Sequence, residues 1–453
     1  MFDLVIEDGL FIDPLNGKFS GSLGIEDGKI AELSAGSLSG KKVINADKNI
    51  VTPGFIDIHM HEDEYKNGDI EYEIFDYMAK MGVTTVVGGN CGLGMADNID
   101  KYFEVINKKG APVNYIGLMG HSILRESIGF GNKDRYRPAS KSELKKMKEK
   151  VKKGLEKGAS GLSFGLEYNP GTSTKEFLEL SELVENYSSK IVSAHYRFDS
   201  TRSLEALAEM IIVARESGVK FQVSHIGSCT AFGQMTDGLE MLEKAYEAGV
   251  DVMADVYPYA AFSTHIGSAV FDKGCFERWN TSYDSIEMAE GKYRGRRCNK
   301  EIFEEVRENE PDSLAIAFVM NEKEVIEALQ HPYVMVASDG LINNGEGHPR
   351  AAGAFPRVLS KYVREKEILD FNTAIKKMTS MPAERLGLES KGRIKEGYDA
   401  DLNIINFNQI DDRATFANPT KSPAGIERVL IGGREVVKKG KRTNNLSGSV
   451  INL

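Results

Sequence analysis

The residues best suited to chemistry lie in the stretch Val51-Thr-Pro-Gly-Phe-Ile-Asp-Ile-His59-Met-His61-Glu-Asp63. An apolar run of Phe55, Ile56 and Ile58 ends in two histidines spaced i, i+2. In a strand, such side chains point to one face. Two imidazoles would therefore project together at a strand end, where a metal could be held from one side. Pro53 and Gly54 suit a loop feeding a buried parallel strand. Further ligand-capable residues follow other apolar runs: Cys91 in Gly88-Gly-Asn-Cys91-Gly, then His195, His225 and Asp339. Each is weak alone. A lone strand-end histidine is ordinarily a hydrogen-bonded structural residue, a lone cysteine a small buried one, and Asp-Gly a turn. Their recurrence in order after five strand-like runs points to a metal-dependent hydrolase.

The elements that would position them are legible as well. Strand-like runs cover Phe55–His59, Thr84–Gly88, Asn114–Gly117, Gly161–Phe164, Ile191–His195, Phe221–His225, Val252–Val256 and Val334–Ser338. Helical patterns separate most of them, such as Ser203–Ser217 stopped by Gly218. Eight repeats predict a (β/α)8 TIM-like barrel, an α/β fold whose active site lies at the C-terminal strand ends. Short strands joined by Asp-Gly turns mark the first ~50 residues, and similar runs mark the C-terminus. The predicted organisation is a small β-sandwich domain built from 1–50 and 396–453. It flanks a barrel over 51–395 with an inserted subdomain at about 271–313, which carries the only tryptophan, Trp279.

Size and composition bound the function classes. The chain has 453 residues, 41% hydrophobic and 27% charged, as for a soluble globular protein. No apolar run reaches the ~18 residues of a membrane span, and the N-terminus lacks signal-peptide character. A net charge of −10 argues against non-specific nucleic-acid binding. Four cysteines are too few for a disulfide scaffold, so a reduced, cytoplasmic setting is expected.

Longer motifs narrow the reading. They include Gly158-Ala-Ser-Gly-Leu-Ser-Phe-Gly-Leu-Glu-Tyr-Asn-Pro-Gly171, Ala194-His-Tyr-Arg197, Gln222-Val-Ser-His-Ile226 and Asp255-Val-Tyr-Pro-Tyr-Ala260. Ser338-Asp-Gly340 with His348-Pro-Arg350, Phe355-Pro-Arg357, Thr379–Arg385 and Gly397–Asp401 complete the set. With His59-Met-His61, the chain resembles the amidohydrolase superfamily, specifically the D-aminoacylase (N-acyl-D-amino-acid deacylase) family, over nearly its whole length.

The resemblance implies a tightly held zinc on Cys91, His195 and His225, and a weaker second metal position on His59, His61 and Asp339, with Cys91 near both. Thiolate and imidazole are good zinc ligands, and a catalytic zinc keeps one position open. Many superfamily relatives bridge two metals with a carboxylated lysine on the fourth strand. Ala159–Tyr168 holds no lysine, so Cys91 takes the bridging role and one zinc can suffice. The implied reaction is hydrolysis of an N-acyl-D-amino acid by zinc-activated water, releasing a carboxylate and a free D-amino acid. Asp339 would shuttle the proton. Arg350 and Tyr257 are implied as substrate-binding residues, since a guanidinium can hold the substrate carboxylate bidentately. Arg197 either lines the site or plays a structural role behind it, and His121 is read as structural.

Two departures bear on specificity: Gly227 stands where relatives often have a lysine, and the segment after Thr264 is shorter than usual. The expected partner is a small-molecule substrate, with homo-oligomerisation left open. The rivals are a cyclic-amide hydrolase of dihydroorotase or hydantoinase type, a D-dipeptidase and, remotely, a non-catalytic scaffold.

Overall fold

The computed structural model describes residues 1–187 and 189–453. Eight short parallel strands form the centre: Phe55–Asp57, Val83–Gly88, Asn114–Gly117, Gly161–Gly165, Ile191–His195, Lys220–Val223, Val252–Val256 and Val334–Val336. The first three pair with one another, and the fourth to eighth pair in chain order. The third strand continues as Met119–Gly120, which pairs with the fourth. The ring closes between eighth and first: Asp339 N donates to His59 O at 2.8 Å, and His61 N to Gly340 O at 3.0 Å. This is the (β/α)8 barrel expected from the sequence. Its strands are nearly all buried on both faces, which is why they read as continuous apolar runs.

The barrel interior is filled by side chains including Ile56, Ile58, Val87, Ile116, Leu118, Ile191 and Met335. The last residues of the chain pack against this cluster. Gly448 and Val450 bridge to Ala111 and Tyr115, and Ile451 and Leu453 lie against the interior group. That end of the chain therefore belongs to the barrel's packing.

The terminal strands form one nine-stranded sheet. Its path runs from Lys441–Arg442 through Arg434–Lys438, Ile426–Ile431, Leu402–Ile405, Ile50–Pro53, Leu4–Asp13 and Gly17–Glu26 to Lys29–Ser34. Val43–Asn45 pairs beside Leu4–Asp13. A separate apolar core of Leu4, Ile6, Phe11, Leu23, Ile25, Leu402 and Leu430 lies against it. The hairpin turn Asp27-Gly28 has φ of 49° and 77°, the two left-handed residues a tight hairpin needs.

Between the seventh and eighth barrel strands the chain departs from the repeat. Phe262–His265, Leu314–Ala317 and Ile286–Met288 form a three-stranded antiparallel sheet, with helices Cys275–Trp279 and Lys300–Asn309. These elements begin before and end after the 271–313 expected from the loss of rhythm, because the strands Phe262–His265 and Leu314–Ala317 pair with each other across it. Trp279 packs on Phe262 and Phe271 at ring distances of 5.5 and 5.9 Å. Among the described residues, no helix is long and apolar enough to cross a membrane.

Candidate metal centre

The ligand-type residues all reach the C-terminal end of the barrel, but by different backbone routes. His195 ends the fifth strand itself. His59 and His61 follow the first strand and bond to Asp339 and Gly340, just past the eighth. Cys91, His225 and Asp339 sit just past their strands with φ of 53°, 31° and 48°. Left-handed backbone disfavours residues bearing a Cβ, at roughly 1–2 kcal/mol each. Strain of this kind concentrates at functional sites, held by the surrounding packing. Here it turns each side chain sharply inward over the barrel mouth.

Two donor groups result, sharing Cys91. Cys91, His195 and His225 form one; His59, His61, Cys91 and Asp339 form the other. Within each, the donor atoms lie within 4.8 Å of one another. Cys91 Sγ is 3.3 Å from both His59 Nε2 and His225 Nε2 and 4.0 Å from His195 Nδ1. His195 Nδ1 and His225 Nε2 are 3.0 Å apart. Asp339 Oδ1 is 3.1 Å from His61 Nε2 and 3.4 Å from His59 Nε2.

The electrostatics of the cluster favour positive charge among its donors. Burial pushes the Cys91 thiol up, yet His59 and His225 outweigh it and hold the thiol well below its ordinary value. Burial disfavours the His59 and His61 cations, but Cys91 and the nearby carboxylates raise His59 well above its ordinary value and His61 to about 9. His195 rises to about 9 against burial, through Cys91 and Glu167. The negative charge of Cys91 and the nearby carboxylates thus favours positive charge on the His59, His61 and His195 rings. A divalent cation would supply that charge at the same atoms, so the donor set fits a metal.

Outer contacts orient the donors. His195 Nε2 lies 3.0 Å from Glu167 Oε2, and His225 Nδ1 2.6 Å from Ser228 Oγ. Asp255 accepts from His225 N at 2.8 Å and lies 3.3 Å from His59 Nδ1. Asp57 receives the backbone N–H of both His59 and Ser338, at 3.1 and 3.0 Å. Sequence reasoning gave Glu167, Asp255 and Asp57 no role. Asp57 and Asp255 carry the signal of an acid inside an otherwise apolar strand; Glu167 carries none.

Arg350 lines the same cavity as His195, His225 and Asp339, with the buried Tyr257 ring beside it. The Arg350 guanidinium is 2.9 Å from Asp339 Oδ2 and sits 4.7 Å over the Tyr257 ring. Burial raises the Asp339 carboxyl, but Arg350, His225 and His61 override it and hold Asp339 well below the usual carboxylate range. Arg197 takes the second of its two expected roles, the structural one, and is not placed as a substrate-binding residue. Its guanidinium is taken by Glu209 at 2.7 and 2.9 Å and by Pro170 O at 3.3 Å, which leaves it off the cavity. The carboxylate that claims it comes from the following helix. His121 pairs with buried Glu176 at 2.8 Å, away from the donor groups.

The amidohydrolase family profile matches residues 313–437. The chain is 33% identical over 463 residues to the N-acyl-D-glutamate deacylase of Alcaligenes xylosoxydans xylosoxydans, covering 95% of this chain and 93% of that one. The chain belongs to the D-aminoacylase family of amidohydrolases. It is also 30% identical over 485 residues to the D-aminoacylase of the same organism, covering 99% of this chain and 97% of that one. Among solved structures, it is similar to an N-acyl-D-glutamate deacylase from Bordetella bronchiseptica complexed with zinc and a phosphonate mimic of the tetrahedral intermediate. That match has a TM-score of 0.87 at 29% identity and covers 100% of both chains. An L-hydantoinase from Arthrobacter aurescens, with a TM-score of 0.66 at 17% identity, shares the fold. As a D-aminoacylase-family member, the chain is a metal-dependent hydrolase acting on carbon–nitrogen bonds.

Proposed function

We propose that this chain hydrolyses the amide bond of N-acyl-D-amino acids, releasing a carboxylate and a free D-amino acid, with zinc as its metal. The observation that carries this reading is the pair of donor groups sharing Cys91 within reach of Asp339 and Arg350. The relatives that act on N-acyl-D-amino acids, including one complexed with zinc and a phosphonate, support it. Cys91, His195 and His225 would hold the tighter zinc; His59, His61 and Asp339 the weaker position. Zinc supplies a Lewis acid for activating water and polarising the carbonyl.

The remaining steps fall to the protein. Asp339, kept ionised by its cationic neighbours, accepts the proton of the attacking water and delivers it to the leaving amine. Arg350 binds the substrate α-carboxylate. Its Nε is buried with no hydrogen-bond partner among the described residues, an open donor beside the cavity. The Tyr257 hydroxyl lies 3.7 Å from Met320 Sδ and would serve as a neutral donor. The ring also carries the arginine. In this reading the 51–395 barrel does the chemistry, the insert at about 271–313 covers it, and a small β-sandwich of 1–50 and 396–453 stands beside it. A cytoplasmic setting accords with four unpaired cysteines.

The test is a screen of N-acetyl-D- and N-acetyl-L-amino acids with cyclic ureides, using zinc-loaded enzyme. Turnover of the D-series supports the proposal. Turnover of ureides alone refutes it.

A further inference from the structure

Glu167 lies at the centre of an unusual set of contacts. It follows the fourth strand and is 7% exposed. Its backbone N–H bonds to Tyr196 O at 2.9 Å, fixing it beside the end of the fifth strand. One carboxylate oxygen lies 3.0 Å from His195 Nε2, the ring nitrogen facing away from Cys91 and His225. The next residue, Tyr168, lays its ring over the same imidazole at 4.6 Å. Glu167 and Tyr168 thus hold the edge and the face of one candidate ligand.

The other Glu167 oxygen faces outward, 3.6 Å from the Arg278 guanidinium. Arg278 belongs to helix Cys275–Trp279 of the inserted segment. Asp199, four residues past His195, also binds Arg278 and accepts the Trp279 indole N–H at 2.5 Å. Arg278 donates as well to Val270 O at 3.0 Å, and Ser200 Oγ donates to Arg278 O at 2.7 Å. Two buried carboxylates from the loops after the fourth and fifth strands therefore grip one arginine of the insert. One of the two also touches a candidate zinc ligand.

We infer that Glu167 is a positioning residue for the metal ligand His195, and that Arg278 anchors it, so that metal affinity and seating of the inserted segment are coupled. This rests on the reading that His195 holds zinc. With Nδ1 committed to the metal, Nε2 must carry the proton, and a carboxylate accepting that proton fixes the tautomer and the ring. It also raises the basicity of the ligand. Losing such a partner typically costs about 10–100-fold in metal affinity. Because Glu167 is shared, the insert inherits the link: stabilising one end stabilises the other by the same factor.

The experiment measures zinc affinity of chelator-stripped protein against a chromophoric competitor, for wild type, Glu167→Ala, Glu167→Gln, Arg278→Ala and His195→Ala. Folding is checked by circular dichroism. Glu167→Ala is expected to weaken zinc binding about 10–100-fold and to alter the visible spectrum of the cobalt-substituted protein. Glu167→Gln, which keeps an acceptor oxygen, should restore most of the affinity. Arg278→Ala should weaken zinc binding at least about fivefold, and zinc should slow proteolysis of the insert in wild type but not in Glu167→Ala or Arg278→Ala. Unchanged zinc affinity in folded Glu167→Ala overturns the positioning role, and unchanged affinity in Arg278→Ala overturns the coupling. Unchanged affinity in His195→Ala overturns the metal assignment beneath both.

Discussion

Replacing Asp339 by Asn tests the proton shuttle with the least collateral change. Asp339 sits at φ 48°, a conformation that asparagine tolerates as well as aspartate, so the loop after the eighth strand should keep its shape. The side chain is 5% exposed and stays isosteric, but it can no longer accept a proton. General acid–base catalysis by a positioned side chain contributes about 10²–10⁴-fold, or roughly 3–5.5 kcal/mol of barrier. Turnover should fall by that factor. Zinc content should hold, because Cys91, His195 and His225 form a donor group without Asp339. Arg350, 2% exposed and 2.9 Å from the lost carboxylate, is left without its counter-charge. Stability should therefore drop by about 3 kcal/mol. Steady-state kinetics on an N-acetyl-D-amino acid, metal analysis and urea unfolding on one preparation separate these effects. A variant with wild-type zinc content and turnover within about tenfold of wild type would refute Asp339 as the proton carrier.

Other perturbations probe the surrounding structure. Cys91→Ser removes the donor common to both groups, since serine is not ionised at neutral pH. Zinc affinity measured by chelator competition should fall by more than the about 100-fold that loss of an outer-shell partner costs. Gly227→Lys, which installs the residue relatives often carry, meets Val256 Cγ2 at 3.0 Å and Met320 Cε at 3.5 Å already at Cβ. It should cost about 1–3 kcal/mol in urea unfolding and leave KM no lower. Lys377 is 3% exposed and donates to Val334 O at 2.7 Å, and burial pulls its pKa down to about 7. The unfolded chain then binds more protons between pH ~7 and ~10.5, so this group's penalty fades as pH rises. Lys377→Met should gain on wild type at pH 7, and that advantage should shrink by about 3 kcal/mol by pH 10 in urea unfolding.

The barrel strands were legible because a strand buried on both faces is mostly apolar, and all eight observed strands overlap the predicted runs. The nine-stranded terminal sheet was half legible: a hairpin shows in Asp27-Gly28 and both chain ends were expected together, but that Leu402–Ile405 pairs with Ile50–Pro53 was not. The insert's edges were not legible because Phe262–His265 is short and mostly polar, while Leu314–Ala317 is as apolar as a barrel strand, so neither announces an antiparallel pairing. Arg197 was left between two roles because its spacing from His195 says which way it leaves the strand, not that Glu209 waits on the next helix.

The sequence by itself determined the chemistry available: ligand types at strand ends, their order, and the motifs that resemble D-aminoacylases. Those depend on residue identity and short-range periodicity, which a linear chain carries in full. Only the tertiary structure decided which groups meet. It turned Cys91, His225 and Asp339 inward through left-handed backbone and placed Arg350 on Tyr257. It also joined Glu167 to both His195 and Arg278, residues 28 and 111 positions away along the chain. Such contacts depend on side-chain direction after packing, and no local pattern encodes them.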